Sequence, residues 1–149
     1  MQTQKKRPVH SRIKRFVRRA AVLTVSGVGV VVAVPTVAAA GTDITGAEAY
    51  SSDCDQSDRL AAKGGFRHYG DTFWVYDDCA DGHSVQLQVD IEPFGTSSHY
   101  DFKFTNSGGY GVNKTLQFNV HEGTALSVRA CVSEGSTTIN CGTWHTGMA

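Results

Sequence analysis

The sequence predicts an all-β fold: an antiparallel β-sandwich of immunoglobulin-like type, with a jelly roll or a small barrel as alternatives. Three observations predict it. Beyond Gly70, apolar and polar residues alternate with a period of two over several stretches; turn-forming residues separate those stretches; and no stretch sustains the 3.6-residue period of an amphipathic helix. Short alternating strands between turns are the pattern of sandwiches and small barrels.

The elements follow in chain order. Gly41–Ala49 is small and weakly patterned and reads as a loose entry segment. Ser57–Lys63 (SDRLAAK), with a cap-like Ser or Asp before it and Gly64-Gly65 after it, reads as a turn or two of helix. In Phe73-Trp74-Val75-Tyr76 a strand would turn Phe73 and Val75 to one face and Trp74 and Tyr76 to the other. Val85, Leu87, Val89 and Ile91 form the next apolar row, followed by Tyr100, Phe102 and Phe104, then Leu116, Phe118 and Val120, then Leu126, Val128, Ala130 and Val132. Ala80–Gly82, Pro93–Ser98, Ser107–Gly109 and Glu122–Thr124 supply turns. The closing stretch CVSEGSTTINCGTW reads as a hairpin about Ser136. That register sets Cys131 opposite Cys141, Val132 opposite Asn140 and Val128 opposite Trp144, so that Trp144 would plug the core on the face away from the bridge.

The first forty residues read as a secretory signal peptide. Eight basic residues and no acidic one precede the apolar run Ala20–Val34, and Thr-Val-Ala-Ala-Ala ends at an Ala-x-Ala cleavage site after Ala40. The run falls short of the ~20 apolar residues that span a bilayer, so no stable membrane span is expected after cleavage. Arg18-Arg19 is a fragment of the twin-arginine pattern, and general secretion is the expectation. Residues 41–149 then form a single domain with six basic residues against 14 acidic, a net charge of about −8. Such a surface repels phosphate backbones and excludes nucleic acid as a partner.

All four cysteines lie in that domain, and export is the oxidising route on which disulfides persist. Of the three possible pairings, Cys54–Cys79 with Cys131–Cys141 closes the two shortest loops and is the expected one. No Cys-x-x-Cys pair supports zinc, and no cofactor is implied.

Three candidate sites emerge. Trp74 and Tyr76 would form an aromatic platform on a sheet surface, suited to a sugar ring or a protein partner. Asp77, Asp78 and Asp81, with Asp53 and Asp55 drawn near by a Cys54–Cys79 bridge, are the one carboxylate group that would offer calcium ligands. The EF-hand pattern fails there at Cys79 and Gln88, and an acidic turn is the ordinary reading. Five histidines (His68, His83, His99, His121 and His145) show no metal spacing, and no Gly-x-Ser-x-Gly elbow supports a Ser-His-Asp triad, so no catalytic residue is assigned.

The piece ADGHSV, the closing CVSEGSTTINCGTW and the basic leader resemble the small secreted proteins of filamentous actinobacteria such as Streptomyces. The resemblance implies a secreted, disulfide-bearing β-domain and names no activity. The Trp-Arg-Tyr triplet of the exported amylase inhibitors is lacking; Phe66-Arg67-His68-Tyr69 only echoes it. The functional expectation is a secreted, non-enzymatic binding domain for a protein, a cell-envelope polymer or a carbohydrate. A small secreted hydrolase and a secreted enzyme inhibitor are the alternatives.

Overall fold

The computed structural model describes residues 40–96 and 98–149; the signal-peptide reading falls on residues outside these, apart from Ala40. Nine strands are formed among the described residues: β1 (Ile44–Tyr50), β2 (Leu60–Arg67), β3 (Thr72–Asp77), β4 (Ser84–Ile91), β5 (Phe102–Asn106), β6 (Asn113–Gln117), β7 (Ala125–Glu134), β8 (Thr137–Cys141) and β9 (His145–Met148). They make two antiparallel sheets packed face to face, one in the order β1-β2-β3-β6 and the other in the order β5-β4-β7-β8, with β9 also paired to β7. The expected sandwich is what the chain forms. Its strand order departs from the constant-type immunoglobulin pattern: nine strands replace seven, β3 and β6 lie in the first sheet, and β4 and β5 lie in the second, where that pattern has the reverse.

Two expectations before Gly70 are corrected. The entry segment is the edge strand β1, with Ile44, Ala47 and Ala49 buried, and the stretch read as a helical turn leads into β2. Alanine and glycine weaken the period-two signal here for a packing reason. A Cβ on Gly64 would lie 2.4 Å from Leu87 Cδ1 in the facing sheet, and one on Gly65 would lie 2.0 Å from the Ile44 carbonyl oxygen. Gly64-Gly65 is therefore a place where neighbouring backbone and the opposite sheet approach closely, and it does not cap a helix.

The core lies between the sheets and has an aromatic spine. The Phe66 and Phe73 ring centroids are 4.7 Å apart, Phe73 meets Phe102 of the other sheet edge-on at 5.5 Å, and Phe102 meets Phe118 at 4.8 Å. Val75, Val85, Leu87, Val89, Val128 and Val132 fill the space around it. Truncating a fully buried phenylalanine such as Phe73 costs about 3–5 kcal/mol. The run Leu116–Val120 does not continue as one strand: β6 ends at Gln117, Val120 enters the core, and Phe118 is half-exposed over Phe102.

Both disulfides form with the expected pairing, Cys54–Cys79 and Cys131–Cys141. In the last hairpin Cys131 faces Cys141 and Val132 faces Asn140, as the residues imply. The register then breaks. A shift between Val132 and Ser133 pushes Ile139 outward, half-exposed. On the other side Gly142 leaves the strand, so that His145, not Trp144, faces Val128. Trp144 therefore does not plug the core. It lies over the Arg129 guanidinium, 4.4 Å from its centre, and Arg129 has the same outward parity on β7 as the bridge. There it helps to roof a polar layer. Gln86, Gln88, Asp90, Ser127 and Ser133 point away from the core yet are buried. Thr138 donates to Gln86 at 3.1 Å, Gln88 donates to Thr138 at 3.3 Å, and Arg129 Nε donates to Gln88 at 2.9 Å.

Candidate functional site

The alternation of β3 decides which aromatics face solvent. Phe73 and Val75 are fully buried, and Trp74 and Tyr76, one residue on in each case, are half-buried on the outer side of the first sheet. Trp74 sits between Gly65 and Thr115 on the neighbouring strands, and Tyr76 between Lys63 and Asn113. A Cβ on Gly65 would come within 2.8–2.9 Å of the indole at Nε1 and Cε2, so the missing side chain is what lets the indole settle over β2. The result is two aromatic rings, two residues apart on one strand, flanked by the amide of Asn113, the hydroxyl of Thr115 and the ammonium of Lys63. Lys63 is held by Asp78 at 2.6 Å, which raises its affinity for its proton.

The acidic turn has different geometry from a metal loop. Asp77 is on the inward face of β3; its Oδ1 accepts the Cys79 N–H at 3.2 Å and its Oδ2 is buried with no hydrogen-bond partner. Burial, then the charges of Asp81 and Asp78, push its pKa up, against the pull of the Cys79 amide. Asp78 pairs with Lys63, and Asp81 accepts the His83 N–H at 2.9 Å. The three carboxylates thus serve three separate partners. Of the two metal-sized groupings among the described residues, one touches this turn at Cys79 and Asp81 and the other lies elsewhere. Cys54, Cys79 and Asp81 form one, but its sulfurs are joined in the disulfide; Asp90, His99 and Asp101 form the other, each offering an atom within 4.8 Å of the rest. Asp90 there is bonded to His99 Nδ1 at 3.2 Å, and Asp101 accepts the Ile91 N–H at 2.7 Å.

One constellation was invisible in the sequence. His83 Nδ1 lies 3.0 Å from Glu134 Oε2 and its Nε2 lies 3.6 Å from Asp53 Oδ2. Burial alone would make this imidazole release its proton more readily, but the Glu134 hydrogen bond, the charge of Asp81 and the side-chain contact with Asp53 outweigh it and raise the pKa. A cleft of about 130 Å³ lies beside it, lined by Tyr50, Ser51, Asp53, His83, Val132 and Asn140 among others. Two more shallow clefts follow the surface, one of about 420 Å³ from Glu48 and Tyr50 to Gly142 and His145, and one of about 190 Å³ between Phe94 and Trp144. Of the other histidines, His68 pairs with Asp43 at 2.7 Å on an exposed surface, a contact that lowers the Asp43 pKa through hydrogen bonds from the His68 amide and ring.

Comparison of the chain with protein-family models, with curated proteins and with solved structures found no significant match. No helix among the described residues is long and apolar enough to cross a membrane. Two disulfides and no free cysteine are consistent with an oxidising, extracellular environment.

Proposed function

We propose that this chain is a secreted, non-enzymatic binding domain that takes a carbohydrate or glycan-bearing envelope polymer on the outer face of its first sheet. One observation carries the reading: Trp74 and Tyr76 stand partly exposed on that face while Phe73 and Val75, which alternate with them along the strand, anchor it in the core. An aromatic pair on a rigid strand loses little conformational entropy on stacking, and the amide and hydroxyl neighbours match the polar rim of a sugar ring. The net charge of about −8 over residues 41–149 sets the face against nucleic acid.

A second reading, a small hydrolase, draws on the His83–Glu134 and His68–Asp43 pairs. A general base needs a ring nitrogen turned toward substrate. Both nitrogens of His83 face carboxylates, and His68 lines none of the three clefts, so binding is the better reading.

Depletion of the protein by insoluble cellulose, chitin and peptidoglycan tests it. Saturable binding to at least one is expected, weakened at least tenfold in Trp74→Ala with Tyr76→Ala at unchanged melting temperature. Binding to none, or binding that the double variant keeps, overturns the reading.

A further inference from the structure

His83 sits where the two stapled parts of the molecule meet. Asp53 precedes Cys54 in the β1–β2 connection, which the first disulfide ties to the end of β3. Glu134 ends β7, at the tip of the hairpin that the second disulfide closes. His83 stands between them, with Nδ1 toward Glu134 and Nε2 toward Asp53, at the cleft that the two segments line.

Proton count makes this arrangement conditional. An imidazolium has two N–H donors and satisfies both carboxylates; a neutral imidazole has one, and its other nitrogen presents a lone pair. A lone pair facing a carboxylate is repulsive, so one of the two contacts cannot survive deprotonation. The distances choose which. The Glu134 contact is a hydrogen bond at 3.0 Å, whereas the Asp53 contact, at 3.6 Å, is an ion pair that depends on the positive charge.

We propose that His83 is a proton-operated latch: as an imidazolium it ties the Asp53 arm to the Glu134 hairpin across the cleft, and on losing its proton it keeps the hairpin and releases the arm. The groups that face it are Asp53 from the β1–β2 connection, Asp81 from its own turn and Glu134 from β7; on the hairpin, Lys103 Nζ donates to the Ser136 carbonyl at 2.8 Å. The three carboxylates bias the latch toward the closed form, which matches the raised proton affinity of the ring. The arm has room to move: Ser52 and Asp53 are exposed, and the Cys54–Cys79 bridge holds only its far end.

An NMR titration of the disulfide-bonded protein from about pH 5 to pH 8 tests this, following the His83 ring and the amides of Ser52, Asp53 and Cys54. The ring is expected to titrate above the ordinary value of 6.5, with the arm amides moving at the same midpoint and the Gly135 amide moving less. Asp53→Asn, a change at an exposed side chain, should lower the His83 midpoint and abolish the arm's titration, and His83→Gln should abolish the arm's titration altogether. Arm amides that stay fixed while His83 titrates, an arm that still titrates in His83→Gln, or a His83 midpoint at or below 6.5 would each overturn the latch.

Discussion

Cys54–Cys79 and Cys131–Cys141 tie down different things. The first joins the long β1–β2 connection to the residues just after β3, across 25 positions of sequence; its loop Ser51–Arg59 is otherwise held mostly by bonds within itself, by Gln56 on the Asp78 carbonyl at 2.7 Å and by the Asp53–His83 pair at 3.6 Å. The second spans only 10 positions, between two strands that pair in any case, with Cα atoms 4.0 Å apart. The comparison teaches that a staple's worth depends on what the chain would do without it. One bridge replaces secondary structure; the other reinforces it.

Breaking each bridge sharpens that contrast. In the chain-entropy account, separations of 25 and 10 residues correspond to roughly 3.5 and 2.7 kcal/mol. Cys54→Ala with Cys79→Ala should therefore have the largest effect, a melting temperature lower by on the order of 10–15 °C, with new proteolytic cleavage confined to residues 51–59. Cleavage throughout β1 and β2 is not expected, because Ile44, Ala49, Leu60 and Phe66 are in the core. Limited proteolysis read by mass spectrometry decides it. Cys131→Ala with Cys141→Ala should cost less in melting temperature but release the following segment, so that Trp144 lifts from Arg129. Acrylamide quenching of Trp144 in a Trp74→Phe background should rise; an unchanged quenching constant would show that the roof over the polar layer stands without the bridge.

The smallest effect concerns the carboxyl that the first staple abuts. The folded-state pKa of Asp77 is raised, chiefly by burial, so its contribution to stability is fully present below the ordinary value of 3.8 and is lost as pH rises through the folded value. At neutral pH the folded chain carries that penalty. Asp77→Asn keeps an acceptor for the Cys79 amide and removes the charge, and should raise the melting temperature at pH 7 while leaving it unchanged at pH 3. A lower melting temperature at pH 7 would mean that the charge is stabilised by a group other than those described.

How far the residues spoke for themselves depended on side-chain size. Phe73, Val85, Leu87 and Val128 announce their faces because large apolar groups on alternate positions have one place to go, and the same alternation correctly left Trp74 and Tyr76 outside. β1 and β2 were misread because many of their core positions are small, Ala47, Ala49, Ala62 and Gly64, and at Gly64 the reason is Leu87 of the facing sheet, which local propensity cannot sense. The hairpin register was legible as far as Val132–Asn140, where cysteines and a turn pin it, and was lost at the shift beyond Val132 and at Gly142. A single-residue irregularity reverses every later side chain, and that is what moved Trp144 from the core to the roof. The candidate sites divide in the same way. The aromatic strip depends on one strand and could be read. The His83 cluster links His83 to Glu134, 51 positions on, and to Asp53 of the β1–β2 connection, and exists only once both sheets are in place.

The two open sides of the sandwich are closed very differently. Along β1, Asn140 donates to the Tyr50 carbonyl at 2.9 Å, Gly142 packs on the Glu48 carbonyl, and Thr42 and Met148 exchange backbone hydrogen bonds at 2.7 and 3.4 Å. On the β5–β6 side the described ties are made by side chains: the Lys114 ammonium on the Thr105 carbonyl at 2.5 Å, the buried Asn106 amide on the Val112 and Val75 carbonyls at 2.8 and 3.4 Å, and the half-exposed Phe118 ring on Phe102. Backbone latches let go only when strands part, whereas an exposed lysine changes partners on the time scale of a rotamer flip. One side is thus sewn by backbone along β1 and the other buttoned by side chains, and the β6 edge is the side expected to exchange its amide protons first.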